Sequence, residues 1–292
     1  VKQVVVVFNP ISGRGRSAAA AEIAAAAFSA AGLLVEVRPT TRAGDARRFA
    51  SECGEMVDAV ASVGGDGTLN EVISGLRRPI PVALIPVGTA NVVAREYGIP
   101  FAPRRAAELL FGGRTRPIDV ARIGDGRFLA MAGVGFDGEI VKAIAAARKG
   151  PISQLTYVAP SIRALAGFRP RALRIEVDGE TLPGDYYGVI VANTRCYGGH
   201  FAVAPDARPD DGLLHYSAWT RPSKWELLRY ATAALLRRKS SAARYGAGRR
   251  FRIVAVDGGP VAAQADGDPA GATPVEIDLP GANARLFVPA GD

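Results

Sequence analysis

Through its first 112 residues the chain alternates short apolar runs with helix-compatible stretches, and this alternation limits the available folds more than any other feature. Residues 4–8, 34–38, 59–63 and 82–85 are short, apolar and β-branched, the pattern of strands buried on both faces. Residues 17–31, 44–53, 69–76, 90–97 and 103–111 have helix-compatible composition. Strand and helix in repeated succession imply right-handed crossovers and a mainly parallel sheet with helices on both faces. Residues 1–116 are therefore expected to form a doubly wound, Rossmann-like α/β domain.

Beyond Arg116 the pattern shifts to short alternating runs punctuated by Asp125-Gly126, Asp178-Gly179, Asp257-Gly258 and Asp266-Gly267. Asp-Gly between extended runs signals a hairpin, because both positions tolerate positive φ. Residues 172–177, 187–192, 213–219 and 251–256 read as strands, and residues 138–148 and 224–238 as helices. The expectation for residues 117–283 is an antiparallel β-sandwich. The last apolar run, residues 284–288, is free to return to the first domain, which residues 284–292 would then complete. No internal repeat is visible.

Composition narrows the class of protein. A length of 292 residues suits two domains at about 150 residues each. With 36 Lys and Arg against 28 Asp and Glu, the net charge of +8 favours an anionic partner without choosing among nucleotide phosphates, nucleic acid and an acidic membrane face. Two cysteines, Cys53 and Cys196, build neither a disulfide framework nor a Cys-based zinc site, so a reducing cytosol is expected. Only His200 and His215 are available as imidazole ligands. No secretory signal is visible. The most apolar stretch, residues 18–31, is mostly alanine and carries Glu22 and Ser29, too weakly hydrophobic for a membrane span. The expectation is a soluble protein, or one seated on a membrane surface.

The loops at the strand ends of the first half point to chemistry. Strand one ends in Asn9-Pro10-Ile11-Ser12-Gly13, strand two in Thr40-Thr41, and strand three in Gly64-Gly65-Asp66-Gly67-Thr68 with Asn70 and Glu71 beyond. Strand four ends in Pro86-Val87-Gly88-Thr89-Ala90-Asn91. In a parallel sheet these loops share the carboxyl edge, where open α/β sheets bind ligands. Glycines admit phosphate oxygens to the backbone, helix N-termini aim N–H groups at them, and Thr40, Thr68 and Thr89 add hydroxyls. Singly, each loop reads equally well as an ordinary turn; together they describe a nucleotide-phosphate site. A carboxylate among such glycines repels phosphate unless a cation intervenes, so Asp66 argues for Mg²⁺, held directly or through water. The P-loop spacing is absent, as is Gly-x-Gly-x-x-Gly in the first turn.

These motifs resemble those of the diacylglycerol kinase catalytic-domain lipid kinases, a family that includes bacterial diacylglycerol kinases, related phospholipid kinases and sphingosine kinases. Val7-Phe8-Asn9-Pro10 to Gly13, Gly64 to Glu71 and Pro86 to Asn91 are similar to its three nucleotide-binding motifs, in order and at familiar spacing. The Gly-Gly-Asp-Gly-Thr string is shared with NAD kinases; its continuation into Asn70-Glu71 and the later Gly88-Thr89-Ala90-Asn91 is specific to the lipid-kinase branch. In the second half, Ala132-Gly133-Val134-Gly135-Phe136-Asp137, Asn193 and residues 205–214 resemble the family's sandwich domain. The resemblance implies a structural Mg²⁺ held by the Asp211 side chain and the carbonyls of Arg208 and Leu213, where the plainer reading of Pro209-Asp210-Asp211-Gly212 is a turn. It also implies a general base in the family's C-terminal Asp-Gly-Glu, which here becomes Asp266-Gly267-Asp268, so that Asp266 or Asp268 accepts the proton. Asp178-Gly179-Glu180 spells the family string but sits where a hairpin turn is expected. Val92-Val93 stands where many members carry Asp-Phe.

The resulting expectation is an ATP- and Mg²⁺-dependent kinase that phosphorylates a membrane lipid such as diacylglycerol, with Asp66 as the metal-linked carboxylate and the acceptor hydroxyl presented in a cleft between the domains. An NAD kinase and a catalytically silent nucleotide- or lipid-binding module are the rivals. A cytoplasmic location, peripheral to the inner membrane face, and transient contact with an anionic membrane surface are implied by the acceptor. Residues 224–238, with Trp225, Leu228, Ala231, Leu235 and Leu236 near one helical face and a basic tail, read either as an interfacial helix or as a helix packed on the sandwich. Nucleic-acid binding is not expected, for want of aromatic-basic interleaving. The acceptor lipid and the oligomeric state are open.

Overall fold

Val4, Val5, Val6 and Val7 have no exposed surface, which makes β1 (Gln3–Phe8) a central strand. In this computed structural model, which describes residues 1–147, 167 and 169–290, β1 pairs in parallel with β2 (Leu34–Pro39) on one side and β3 (Ala59–Gly64) on the other. β3 pairs in parallel with β4 (Val82–Pro86). The final strand, β20 (Ala282–Val288), lies parallel to β4 and separates it from β5 (Arg114–Asp119), giving the order β2-β1-β3-β4-β20-β5. The helices between are α1 (Ser17–Ala30), α2 (Asp45–Ser51), α3 (Asp66–Gly75), α4 (Val92–Glu96) and α5 (Pro103–Gly112). Alanine, the strongest helix former, dominates α1, and Ala20, Ala21, Ala24 and Phe28 form its buried face.

Two expectations for this half need correction. β2 is an edge strand with Leu34 and Val37 exposed, so it is not buried on both faces; Glu36 and Arg38 are the visible cue. The fourth helix begins at Val92, because Asn91 takes a left-handed φ of 47°.

The chain divides into two units, Val1–Ile118 with Ala282–Asp292, and Asp119–Gly281. In the second, β6 (Ala121–Ile123), β7 (Gly126–Phe128), β9 (Leu173–Val177), β10 (Glu180–Thr181), β16 (Arg250–Ala255) and β19 (Val275–Asp278) form one sheet, ordered β10-β9-β16-β19-β6-β7. β8 (Met131–Val134), β11 (Val189–Ala192), β14 (Leu214–Trp219), β15 (Ala243–Gly248), β17 (Ala262–Ala265) and β18 (Asp268–Ala272) form the other, ordered β15-β14-β11-β8-β17-β18. Their pairings are antiparallel. Phe128, Leu173, Ile175, Leu214, Phe251 and Ile253 fill one core, the packing of a sandwich. A small ribbon pairs β12 (Cys196–Tyr197) with β13 (Phe201–Ala202), and the helices are α6 (Phe136–Ala147) and α7 (Lys224–Leu235). Arg148, expected to extend α6, lies outside the described residues, and α7 ends at Leu235, short of Arg238.

Three of the four Asp-Gly pairs sit at hairpins, between β6 and β7, β9 and β10, and β17 and β18. Asp257-Gly258 does not: it comes after β16 and carries the chain to β17 in the other sheet.

Candidate active site

The loops that leave β1, β3 and β4 interlock through backbone contacts. Val87 N–H donates to the Gly64 carbonyl at 2.9 Å, and Gly88 N–H reaches the same oxygen at 3.3 Å. A Cβ on Gly88 would sit 2.5 Å from the Gly65 Cα, so only glycine permits this approach. Gly13, at φ 60°, turns the first loop so closely under Val87 that a side chain there would strike the Val87 carbonyl oxygen. In the first loop Asn9 Oδ1 accepts the Ile11 N–H at 3.2 Å, its carbonyl accepts Ser17 Oγ at 2.5 Å and Ser12 N–H at 2.9 Å, and Pro10 is exposed.

Asp66 has a role that the sequence did not indicate. Its Oδ2 accepts the Val92 N–H at 3.0 Å and its Oδ1 the Val93 N–H at 3.1 Å, so the first turn of α3 caps the first turn of α4. Burial raises the carboxyl above its ordinary pKa, against the lowering pull of the Val93 and Val92 donors. The same carboxylate also takes the backbone N–H groups of Asn91 and of Asp66 itself. Asn91 donates from Nδ2 to the Gly88 carbonyl at 2.7 Å, while its Oδ1 is buried without a partner among the described residues. An orphaned amide oxygen beside a half-buried carboxylate is a donor pair suited to a hard cation. Val92 and Val93, where many family members have Asp-Phe, bury their side chains and offer only N–H groups.

The other residues of the predicted site divide. Gly67 and Thr68 stand in the first turn of α3, where N–H groups have no partner within the helix, with Thr68 buried. Thr40 donates its N–H to the Phe8 carbonyl at 2.8 Å, and Thr89 is exposed. Glu71 turns away from such a role: both its oxygens accept the Gly44 N–H at 3.1 Å, tying the start of α2 to α3. Asn70 accepts Ser74 Oγ one helical turn on.

In the second unit, the two carboxylates of Asp266-Gly267-Asp268 have different surroundings. Asp266, at φ 49°, accepts N–H donors from Leu129 at 2.8 Å, Ala130 at 2.9 Å and Met131 at 3.1 Å, pinning the β17–β18 hairpin to the start of β8. Asp268 is exposed, and among the described residues its carboxylate has no hydrogen-bond or ion-pair partner. Asp178, in the look-alike string, makes a comparable turn and accepts the N–H groups of Arg249 and Arg250. What separates the two hairpins is Gln264. Fully buried, it accepts the Gly267 N–H at 2.8 Å and donates from Nε2 to Asp137 Oδ2 at 2.6 Å. Asp137 also holds a hydrogen bond from Tyr197, and burial pushes its pKa up to about 6. Asp137 was visible only as part of a motif and Gln264 only as a neighbour of the turn.

The turn expected to hold a structural Mg²⁺ gathers more acid than its own sequence shows. Asp119 donates its N–H to the Pro209 carbonyl at 2.7 Å and accepts the Gly212 N–H on Oδ2 at 2.8 Å. Burial raises its pKa, opposed by the Gly212 bond and reinforced by the charges of Asp211 and Asp210. Asn193 donates to the Asp119 and Leu129 carbonyls, leaving its own Oδ1 buried and unpartnered among the described residues. Asp211 accepts the Leu213 N–H at 3.0 Å and meets His215 Nε2 at 3.1 Å. Among the described residues no three His, Cys, Asp or Glu side chains are arranged to hold a metal, so a cation here needs carbonyls and water. Excess negative charge and oxygen-only donors fit that requirement.

Residues 3–123 match the family model described as the diacylglycerol kinase catalytic domain, and residues 130–287 match that of the YegS C-terminal NAD kinase β-sandwich-like domain. The chain belongs to the diacylglycerol kinase catalytic-domain family. A diacylglycerol kinase of Bacillus subtilis is 33% identical over 241 residues, covering 80% of this chain and 79% of its own. A diacylglycerol kinase of Mycobacterium tuberculosis is 34% identical over 238 residues, covering 78% and 77%. A crystal structure of a diacylglycerol kinase from Bacillus anthracis shares the fold, with TM-score 0.76 at 21% identity over 98% of this chain and 97% of that one. So, more distantly, does an NAD kinase from Archaeoglobus fulgidus in complex with ATP, with TM-score 0.51 at 16% identity over 98% and 93%. As a family member the chain is an ATP-dependent lipid kinase. Among its described residues no helix is long and apolar enough to cross a membrane.

Proposed function

We propose that the chain transfers the γ-phosphoryl group of Mg-ATP to the hydroxyl of a membrane lipid such as diacylglycerol, at the inner face of the cytoplasmic membrane. The observation that carries this reading is the backbone approach of Gly65 and Gly88, which brings two phosphate-type loops together with no side chain between them. Backbone N–H groups of Gly13, Gly67 and Thr68 bind and orient the triphosphate, because glycine admits its oxygens and the N-terminus of α3 favours its charge. Pro10 has no N–H, and those of Ile11 and Ser12 are taken by Asn9. Asp66 and the unpartnered Asn91 Oδ1 would hold Mg²⁺, which neutralises charge on the transferring phosphoryl group. By capping α4, Asp66 also keeps the second loop against the first.

Asp268 accepts the proton of the lipid hydroxyl, since its carboxylate has no competing donor among the described residues. Asp266, saturated by three N–H groups, positions the hairpin that presents it. The family's glutamate reaches about one bond further than Asp268, a difference that positioning can register. A second Mg²⁺, held by the Asp211 carboxylate and the Arg208 and Leu213 carbonyls, would offset the charge around Asp119.

Incubation with γ-labelled ATP and Mg²⁺ against diacylglycerol, phosphatidylglycerol, sphingoid bases and NAD, resolved by thin-layer chromatography, tests the reading. Label on a lipid alcohol, abolished in Asp66→Ala, supports it. Label on NAD alone, or ATP binding without transfer to any acceptor, overturns it.

A further inference from the structure

α7 presents two apolar faces, and the sandwich core uses only one. Tyr230 and Ala234 are buried among Met131, Val203 and Trp219, with the Trp219 and Tyr230 rings packed edge to face at 5.1 Å. The Tyr230 hydroxyl is satisfied inside, by Ser217 Oγ at 2.7 Å and the Val203 carbonyl at 3.2 Å. The opposite face carries Trp225, Leu228 and Leu235, with Leu236 just beyond, and 75%, 48%, 58% and 63% of their surface is exposed. Offsets of three, ten and eleven residues from Trp225 place them on one stripe of a 3.6-residue helix. Thr232 shares this stripe, and its hydroxyl donates to the Leu228 carbonyl at 2.9 Å, so its one donor is satisfied within the helix.

The flanks are basic. Arg221, Lys224, Arg229, Arg237, Arg238 and Lys239 are exposed, against a single acidic residue in the same stretch, Glu226, which Arg229 meets at 3.1 Å and Arg221 at 3.7 Å, and against Asp206 from outside it, which pairs with Lys239. An exposed Trp–Leu stripe between basic ends suits a surface with an apolar interior and an anionic face. A second copy of this chain suits it poorly, because a two-fold contact through α7 would set the basic flanks against one another.

We propose that the outward face of α7 is the membrane-docking surface, inserting Trp225, Leu228, Leu235 and Leu236 at the interface of an anionic bilayer. The inference rests on the lipid-kinase reading for its purpose, but its test does not depend on turnover. The full chain should co-sediment with phosphatidylcholine vesicles containing phosphatidylglycerol at least ~10-fold more tightly than with phosphatidylcholine alone, and less so as salt rises. Trp225 emission should shift to the blue on binding; the other tryptophan, Trp219, is already buried, and Trp225→Phe should remove the shift. Leu235→Glu and Leu228→Glu, on the exposed face and away from the core, should weaken vesicle binding by ~10-fold or more. They should lower turnover of vesicle-embedded diacylglycerol while leaving kcat on a dispersed short-chain diacylglycerol unchanged.

Equal vesicle binding by wild type and both Glu variants overturns the proposal, as does an unshifted Trp225 spectrum. A gel-filtration change from dimer to monomer in the Glu variants, without loss of vesicle binding, assigns the face to a second copy and overturns it too. Vesicle docking by a wild type that phosphorylates no lipid in either form leaves the surface standing and rejects the lipid-kinase reading instead.

Discussion

Gln264 bridges the Asp137 carboxylate, 2.6 Å from its Nε2, and the Gly267 N–H, 2.8 Å from its Oε1. The charge on Asp137 thereby fixes the orientation of the Gln264 amide, and the amide fixes the turn that carries Asp268. Gln264→Leu, close in volume and lacking both bonds, should reduce kcat by ~100-fold with little change in the KM for ATP. Asp137→Asn keeps a carbonyl for Gln264 Nε2 and should retain most of the activity. Steady-state kinetics decides, and an unchanged kcat in Gln264→Leu rejects this link.

Asp137 also makes stability depend on pH. Its pKa is about 6 when folded against an ordinary 3.8, so between these values the folded state binds the proton more tightly than the unfolded one. Stability attributable to Asp137 is therefore highest at acid pH and falls as pH rises through this window, by about 3 kcal/mol at about 1.4 kcal/mol per unit. The denaturation midpoint of wild type minus that of Asp137→Asn should fall from pH 4 to 7. A constant difference contradicts the shift.

The hairpin carboxylates should separate in mutagenesis. Asp268→Asn removes an exposed proton acceptor that no donor holds among the described residues, so activity should fall by ~100- to 10,000-fold with the thermal midpoint unchanged. Asp266→Asn disturbs three part-buried N–H bonds and should cost roughly 2–4 kcal/mol of stability. Urea unfolding and initial rates together distinguish the two; full activity in Asp268→Asn moves the base elsewhere.

Much of this was legible in the chain, for physical reasons that differ by element. Buried valines and glycine-punctuated strand ends carry their structure locally, so the parallel sheet and its loops could be read from Val4–Val7, Gly64-Gly65 and Gly88. The edge position of β2 was passed over although Glu36 and Arg38 mark it, because Leu34, Val35 and Val37 read as a buried run until its neighbours are known. Asp66 was read through its glycines, which suggest phosphate, whereas its bonds to Val92 and Val93 join residues 26 and 27 positions apart. Asp119 and Gln264 were missed for the same reason: their partners lie 93 and 127 residues away, at Gly212 and Asp137. Asp266 and Asp178 make nearly the same turn, and only tertiary surroundings tell them apart.

The acidic turn offers a test that needs no substrate. Mg²⁺ at about a hundred times its Kd should raise stability by about 2.7 kcal/mol if the 208–213 turn binds it. Asp211→Asn should lose most of that gain. Melting curves with Mg²⁺ and with a chelator measure it, and an identical Mg²⁺ response in wild type and variant shows that the ion binds elsewhere.

The position of β20 between β4 and β5 sets an order on biosynthesis. On the ribosome, the nascent α/β half emerges before the sandwich yet carries a vacant slot in its central sheet until residues 282–288 have been translated. The sandwich has every one of its own strands by residue 278 and is free to mature before its predecessor. A chain cut short between residues 278 and 282 would thus keep the later module and cripple the earlier one.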